Sequence, residues 1–304
     1  MKRQIILALI LFHSCYLSDN YIIGIFEINQ TNTTERILNG RNNIASIDIY
    51  LNNEKINYAH TIVFPKTGEY IIKYNFKEKI YDMERLFEKC NSLVSLDLSH
   101  FDASNIVNMD STFRESRNLK TVNFTNFDAS KVTYLGGLFK DCNSLISLDL
   151  SSFKTSNSLK DTRNMFESCT SLRYINLTNF NTRNVWIMAY MFHKCTSLQN
   201  LDLSSFSTEK VEYMIDMFSG CSSLTELNLK SFNTKNANKM KNMFKNCNSL
   251  KTLDLAHFEI SIDTDMSYMF AGCNSLKLLI LPKIVSTMSP AYMLSGTDAK
   301  VVYK

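Results

Sequence analysis

The chain has 304 residues, 45% of them apolar and 20% charged, enough to bury a full core, which excludes a disordered or collagen-like polymer. Lys plus Arg number 33 against 29 Asp plus Glu, a formal charge of +4, two units of which are Lys2 and Arg3; so even a balance argues against a nucleic-acid binder held by phosphate neutralisation. With 8 Gly and 3 Pro, a many-hairpin β fold or a Gly-rich phosphate loop is not expected, whereas 20 Phe, 14 Met and 8 Cys are a marked excess.

The first element is an address. Lys2 and Arg3 precede the apolar run Ile5 to Phe12, and polar residues return at His13 and Ser14. A short basic region and a short apolar run read as a secretory signal peptide over residues 1–18. The cleavage site is poorly defined: Tyr16 stands three residues before a cut after Ser18, Cys15 is a weak match to a lipid-modified cysteine, and the alternative is an apolar N-terminal strand. The run is too short to cross a bilayer, which needs about 20 residues, and no later segment has transmembrane length.

Residues 19–80 follow as a small β-rich module. Tyr21 to Ile28, Ile44 to Leu51, His60 to Phe64 and Glu69 to Phe76 are short β-prone runs, with a turn at Pro65 to Gly68. The module is expected to cap what comes next, or alternatively to be the recognition domain itself.

Residues 81–304 repeat. Cys90, Cys142, Cys169, Cys195, Cys221, Cys247 and Cys273 are separated by gaps of 52, 27, 26, 26, 26 and 26, and Ser116 holds the missing position. Each follows a Phe by three, from Phe87 to Phe270, and a degenerate last unit puts Leu294 and Thr297 there, so about nine units are counted. In the clearest unit Val211, Met214, Met217, Phe218 and Cys221 have the spacing of a helix stripe, while Leu227 and Leu229 have that of a strand. The expected fold is therefore an α/β repeat solenoid in which stacked units bury each other's flanks. The middle residues of the Leu-x-Leu pairs are Asp97, Asn123, Asp149, Asn176, Asp202, Asn228 and Asp254. Acid and amide alternate, as suits an exposed strand face where stacked carboxylates about 4.8 Å apart would repel.

The phrase Met-Phe-x-x-Cys-x-Ser-Leu-x-x-Leu-Asp-Leu-Ser-x-Phe, present as Met191 to Phe206 and, with Asn for Asp and Lys for Ser, as Met217 to Phe232, resembles the BspA-like leucine-rich repeat surface proteins. The resemblance covers residues 81 to about 281. It implies a leucine-rich-repeat solenoid, secreted or on a cell surface, of a kind discussed as adhesins for host or matrix proteins. Ser116, Arg117, one extra residue between Phe153 and Phe166, and the short last unit depart from the pattern.

Candidate chemistry is sparse. The thiols are expected to be reduced core groups, since equivalent Cβ atoms about 4.8 Å apart exceed the roughly 3.8 Å a disulfide prefers. His13, His60, His100, His193 and His257 do not stack with one another and are expected to be surface or satisfied structural residues. No nucleophile–base constellation, metal set or cofactor motif is read, so neither an enzyme nor a cofactor is expected. The binding candidates are the Asp/Asn column together with Arg173, Tyr174, which stands where other units carry small or polar residues, and Trp186, next to the core position Val185. Replacing Asp149 and Asp202 with Ala is expected to weaken partner binding at nearly unchanged thermal midpoint. The sequons Asn29, Asn32, Asn123 and Asn176 would carry glycans in a host with the machinery. The expected function is a secreted or cell-surface, adhesin-like protein-binding repeat, with an intracellular scaffold or a self-associating surface coat as alternatives.

Overall fold

The computed structural model describes residues 20–39, 47–288 and 292–304; the expected signal segment and the start of the Ile44 to Leu51 run lie outside them. The N-terminal module contains β1 (Tyr21–Ile28), β2 (Thr33–Arg36), β3 (Ile47–Leu51), β4 (Glu54–Ile56), β5 (Thr61–Phe64) and β6 (Gly68–Phe76). The sequence pattern did not mark β2 or β4. The β3–β4 hairpin turns through Asn52 and Asn53, both at positive φ (48° and 73°), the geometry that twists correctly between antiparallel strands.

The repeats add β7 (Leu93–Asp97), β8 (Thr121–Asn123), β9 (Ser147–Asp149), β10 (Tyr174–Asn176), β11 (Thr252–Asp254), β12 (Leu278–Leu281), a 3-10 helix (Lys283–Thr287) and β13 (Lys300–Tyr303). Successive repeat strands pair in parallel where they pair at all. The module joins the array through one continuous hydrogen-bonded sheet: β1 lies antiparallel between β6 and β7, giving the order β4-β3-β6-β1-β7-β8. Tyr74 packs edge-on against Phe87 and Phe76 against Phe101, so the module closes the open end of the first coil.

The helix-period stripe is not helical. Among the described residues there is no α-helix; each stripe is a run of tight turns. Met217 N–H donates to Met214 O (3.3 Å), Ser219 to Asp216 (3.1 Å), Cys221 to Phe218 (3.0 Å) and Leu224 to Cys221 (3.2 Å), all three-residue closures. Two residues per coil, four apart, take the left-handed conformation, as at Asp216 (φ 53°) and Gly220 (φ 77°), and they break any i to i−4 pattern. The extended backbone between them then bonds to the next coil. Met214, Asp216, Phe218 and Gly220 donate to the carbonyls of Lys239, Lys241, Met243 and Lys245 at 2.7–3.0 Å. Parallel bridges run without interruption from Asp82 through Asn108, Tyr134, Asp161, Ile187, Tyr213 and Lys239 to Asp265.

The core is a set of ladders. Phe87, Phe113, Phe139, Phe166, Phe192, Phe218, Phe244 and Phe270 stack face to face, with centroids 5.1–6.0 Å apart and planes within 21°. Beside them the thiols are fully buried. Cys142, Cys169, Cys195, Cys221, Cys247 and Cys273 each donate S–H to the carbonyl of a Phe one coil back, at 3.0–3.2 Å. Ser116 makes the same bond, Oγ to Phe87 O at 2.6 Å, which explains how Ser substitutes for Cys in this column. A third column, Thr182, Thr208 and Thr234, is buried and donates to Ser207, Asn233 and Glu259 carbonyls of the next coil.

Candidate functional site

The Asp/Asn column lies on the outer side of the Leu-x-Leu segments, exposed or half-buried throughout. Its residues share a task that spacing alone did not reveal. Each accepts the backbone N–H two residues on: Ser99 to Asp97, Thr125 to Asn123, Ser151 to Asp149, Thr178 to Asn176, Ser204 to Asp202, Lys230 to Asn228 and Ala256 to Asp254, at 2.9–3.1 Å. These are Asx turns, which end each Leu-x-Leu segment and swing the chain away. Either Asp or Asn supplies that oxygen, so the column tolerates both. A sideways bond within the column is made once among the described residues, from Asn123 Nδ2 to Asp97 Oδ1 (2.9 Å).

This corrects the expectation for the Ala substitutions. Removing a turn-forming carboxylate forfeits a hydrogen bond worth about 0.5–1.5 kcal/mol, so Asp149→Ala and Asp202→Ala lower stability. Asn, which keeps the oxygen, is the clean probe of charge. The bonds from Ser204 hold the Asp202 carboxyl below its ordinary range, so it is ionised at neutral pH.

Along this face the lateral ladder is open in the middle. Leu98, Leu150 and Leu255 donate N–H to the Asn123, Asn176 and Ile280 carbonyls of the next coil at 2.8–3.0 Å, but Phe124, Leu177, Leu203 and Leu229, in the same column, make no such bond, and the last three form the longest gap. Residues 201–203 and 227–229 accordingly form no strand between β10 and β11. A groove of ≈ 840 Å³ lies there, lined by Asp202, Asn228 and Asp254 from the column, with Glu226, Lys230 and His257 beside them. Lys230 and His257 carried no signal in the sequence reading, because their place depends on where the ladder opens. His257 Nε2 stands 3.0 Å from Leu229 O and donates to it. The groove thus presents carboxylates, amides, one ammonium and partly covered leucine, a set suited to holding a ligand by polar contacts.

The other candidates separate. Tyr174 is 59% exposed at the start of β10, beside exposed Arg173, on the same face as the column but one coil before the groove. Trp186 is 40% exposed on the turn face, away from the column, with its ring edge-on to Tyr213. His193 does not fit its expectation of a satisfied residue: its Nδ1 is buried without a hydrogen bond, and the Asp216 carboxylate stands 3.9 Å away. Burial raises the seven described thiols out of the reactive range, Cys273 to about 11 and the others further, so these seven are not thiolates at neutral pH. Among the described residues no group of three or more His, Cys, Asp or Glu is arranged to hold a metal ion, and no helix is long and apolar enough to cross a membrane.

Stacked coils with a leucine-lined core and one outward polar strand column define a leucine-rich-repeat solenoid. Residues 63–176 and 160–280, together well over half of the chain, match the family described as Mycoplasma protein of unknown function, DUF285, and the chain belongs to that family. Four solved chains also match; one is a leucine-rich repeat protein from Bacteroides ovatus, 16% identical, with a TM-score of 0.28. That match takes in 75% of this chain and 66% of the other, just under two thirds of the relative's length. No curated protein matches.

Proposed function

We propose that the chain is a secreted or surface-displayed protein-binding module, adhesin-like, whose partner is a protein of a host, matrix or neighbouring cell surface. The observation that carries the binding half is the groove at residues 200–257, where three members of the Asp/Asn column converge with Glu226 and Lys230 over a stretch of open lateral backbone. Extended arrays bind through many modest contacts, and no moving part is needed here. The secretion half rests on the basic and apolar start of the chain. The reading as an intracellular scaffold draws on one feature, a core of seven buried thiols, six of them hydrogen-bonded, that suits a reducing compartment.

Antibody labelling of intact, unpermeabilised cells, with the medium assayed alongside, separates the two: signal only after permeabilisation refutes secretion. For the face itself, Asp202→Asn with Asp254→Asn keeps both turn oxygens and removes two charges. Retention of a captured partner at full affinity by this double variant, with an unchanged unfolding midpoint, would remove the groove from the binding surface.

A further inference from the structure

The single tryptophan of the chain, 40% exposed, is on the turn face, not the strand face. Backbone bonds place Lys160, Trp186, Glu212 and Asn238 in one column (Trp186 N to Lys160 O and Glu212 N to Trp186 O, both 3.0 Å; Asn238 N to Glu212 O, 3.2 Å). The bridges Asp161–Ile187–Tyr213–Lys239 set a second column beside it. At the centre Trp186 projects against the Tyr213 ring, centroids 5.8 Å apart, with Ile187 half-buried next to them. One end carries Lys160 and Arg163, the other Lys239 and Lys241. Two carboxylates lie within these columns: Asp161, buried and ion-paired to Arg163, and Glu212. Lys160, Lys239 and Lys241 have no ion pair among the described residues, although Asp265, one coil further on, lies in the field of the last two and is itself held by Ser267.

An aromatic centre with a charged rim is the anatomy of a binding hot spot: the rings supply area at low entropic cost, and the surrounding cations choose the partner. From the Lys160 coil to the Lys239 coil is three ladder steps, about 14 Å, which an extended segment spans with about four residues. We propose that this patch is a docking surface, distinct from the groove, for a short acidic segment of a protein partner that carries one large apolar side chain between its carboxylates. The inference rests on the protein-binding reading above but assigns that partner's segment to a different face.

The test selects a displayed library of random linear peptides on the full chain and measures the enriched sequences, as synthetic peptides, against variants by fluorescence polarisation at low and high salt. Expected are sequences with carboxylates flanking an aromatic or large aliphatic residue. Trp186→Ala should weaken them on the order of tenfold or more, and Trp186→Phe should restore much of the affinity. Lys239→Glu with Lys241→Glu should weaken binding and flatten its salt dependence, while Asp202→Asn with Asp254→Asn leaves it unchanged. Enriched peptides that are basic, that bind Trp186→Ala at full affinity, or that lose affinity only in the groove variant overturn the patch, and the last of these leaves the groove reading standing alone. Failure to enrich any peptide also overturns it, as does a concentration-dependent dimer abolished by Trp186→Ala, which would make a second copy the occupant. Equal urea midpoints for all variants confirm that the losses are not misfolding.

Discussion

Ser168, Lys194 and Gly220 occupy one column of the turn face, at φ 60°, 58° and 77°. If the stripe were helical, as its spacing suggests, Lys194→Gly would cost up to about 1 kcal/mol and Gly220→Ala would return a similar amount. The structure reverses both signs. A left-handed backbone penalises an L side chain by about 1–2 kcal/mol, while glycine's greater freedom in the unfolded chain offsets about 0.4–1 kcal/mol of any relief. Ser168→Gly and Lys194→Gly should therefore each stabilise by roughly 0.5–1 kcal/mol, since neither side chain makes an ion pair among the described residues. Gly220→Ala should cost roughly 1 kcal/mol, aggravated by a Cβ only 3.3 Å from Lys194 Cγ and 3.4 Å from its Cα. Urea unfolding followed by circular dichroism reads the midpoints, with the slope m required to stay constant across the set. The double variant Ser168→Gly with Lys194→Gly should add the two gains within a few tenths of a kcal/mol unless the adjacent coils couple. A fall in midpoint for Lys194→Gly together with a rise for Gly220→Ala would refute the left-handed turns and restore the helix.

The buried thiols, His193 and the open ladder each carry a further expected outcome. The seven described thiols should resist iodoacetamide in the folded chain at pH 8 and react only as urea unfolds it; prompt modification of Cys195 or Cys221 without denaturant would contradict their burial and raised pKa values. His193 is held below its ordinary value of 6.5, burial opposing its charge more than Asp216 and Glu167 favour it, with Lys194 and Lys140 adding to the depression. The unfolded chain therefore takes up this proton first, so stability should be intact above pH 6.5 and fall as pH drops from there toward the lowered native value. His193→Gln should remove that part of the slope in urea midpoints between pH 7.5 and 5, and an unchanged slope would assign it elsewhere. Finally, amide hydrogen exchange should be faster at Leu203 and Leu229 than at Leu98, Leu150 and Leu255, although all five side chains are buried; equal protection would close the open stretch of the ladder.

The period, the stacking and the inward columns were legible because a solenoid repeats its contacts: a residue type recurring at fixed spacing, such as Phe87 to Phe270, is buried by its own copies. The local path was not legible. The positions 211, 214, 217, 218 and 221 suit an α-helix and a string of three-residue turns equally well, because both return a side chain to the core after three or four residues. The discriminating signal lay in the columns between them, where Gly137, Asn164, Asp216 and Asn242, and then Asp141, Gly220, Asn246 and Gly272, accumulate the residue types that tolerate positive φ. Tyr190, Lys194 and Glu115 in the same columns hid it. At the candidate site the Asp/Asn column could be read as outward-facing but not as turn-forming, and the groove could not be read at all. Its existence depends on whether Leu203 and Leu229 reach the next coil, and both are the same residue type as Leu98, Leu150 and Leu255, which do.

The two faces differ in what they demand of sequence, and that difference bears on where recognition can evolve. On the turn face the coils are joined by backbone bonds at every unit, and the buried Thr and Cys columns tie carbonyls of neighbouring coils as well. Four outward residues of that face, Asp82, Asn108, Asp161 and Asp265, accept the N–H two residues on, but Tyr134, Ile187, Tyr213 and Lys239 hold the same column without such a bond, so positions such as 160, 186, 212 and 239 can hold Lys, Trp, Glu or Lys with the ladder intact. On the strand face the outward Asp/Asn column is itself structural, since its oxygens end the Leu-x-Leu segments, which restricts the residues able to vary to their neighbours Arg173, Tyr174 and Glu226. A chain of this build can therefore change partner most cheaply on the face whose backbone is most completely tied, because rigidity there comes from the main chain and leaves the side chains free.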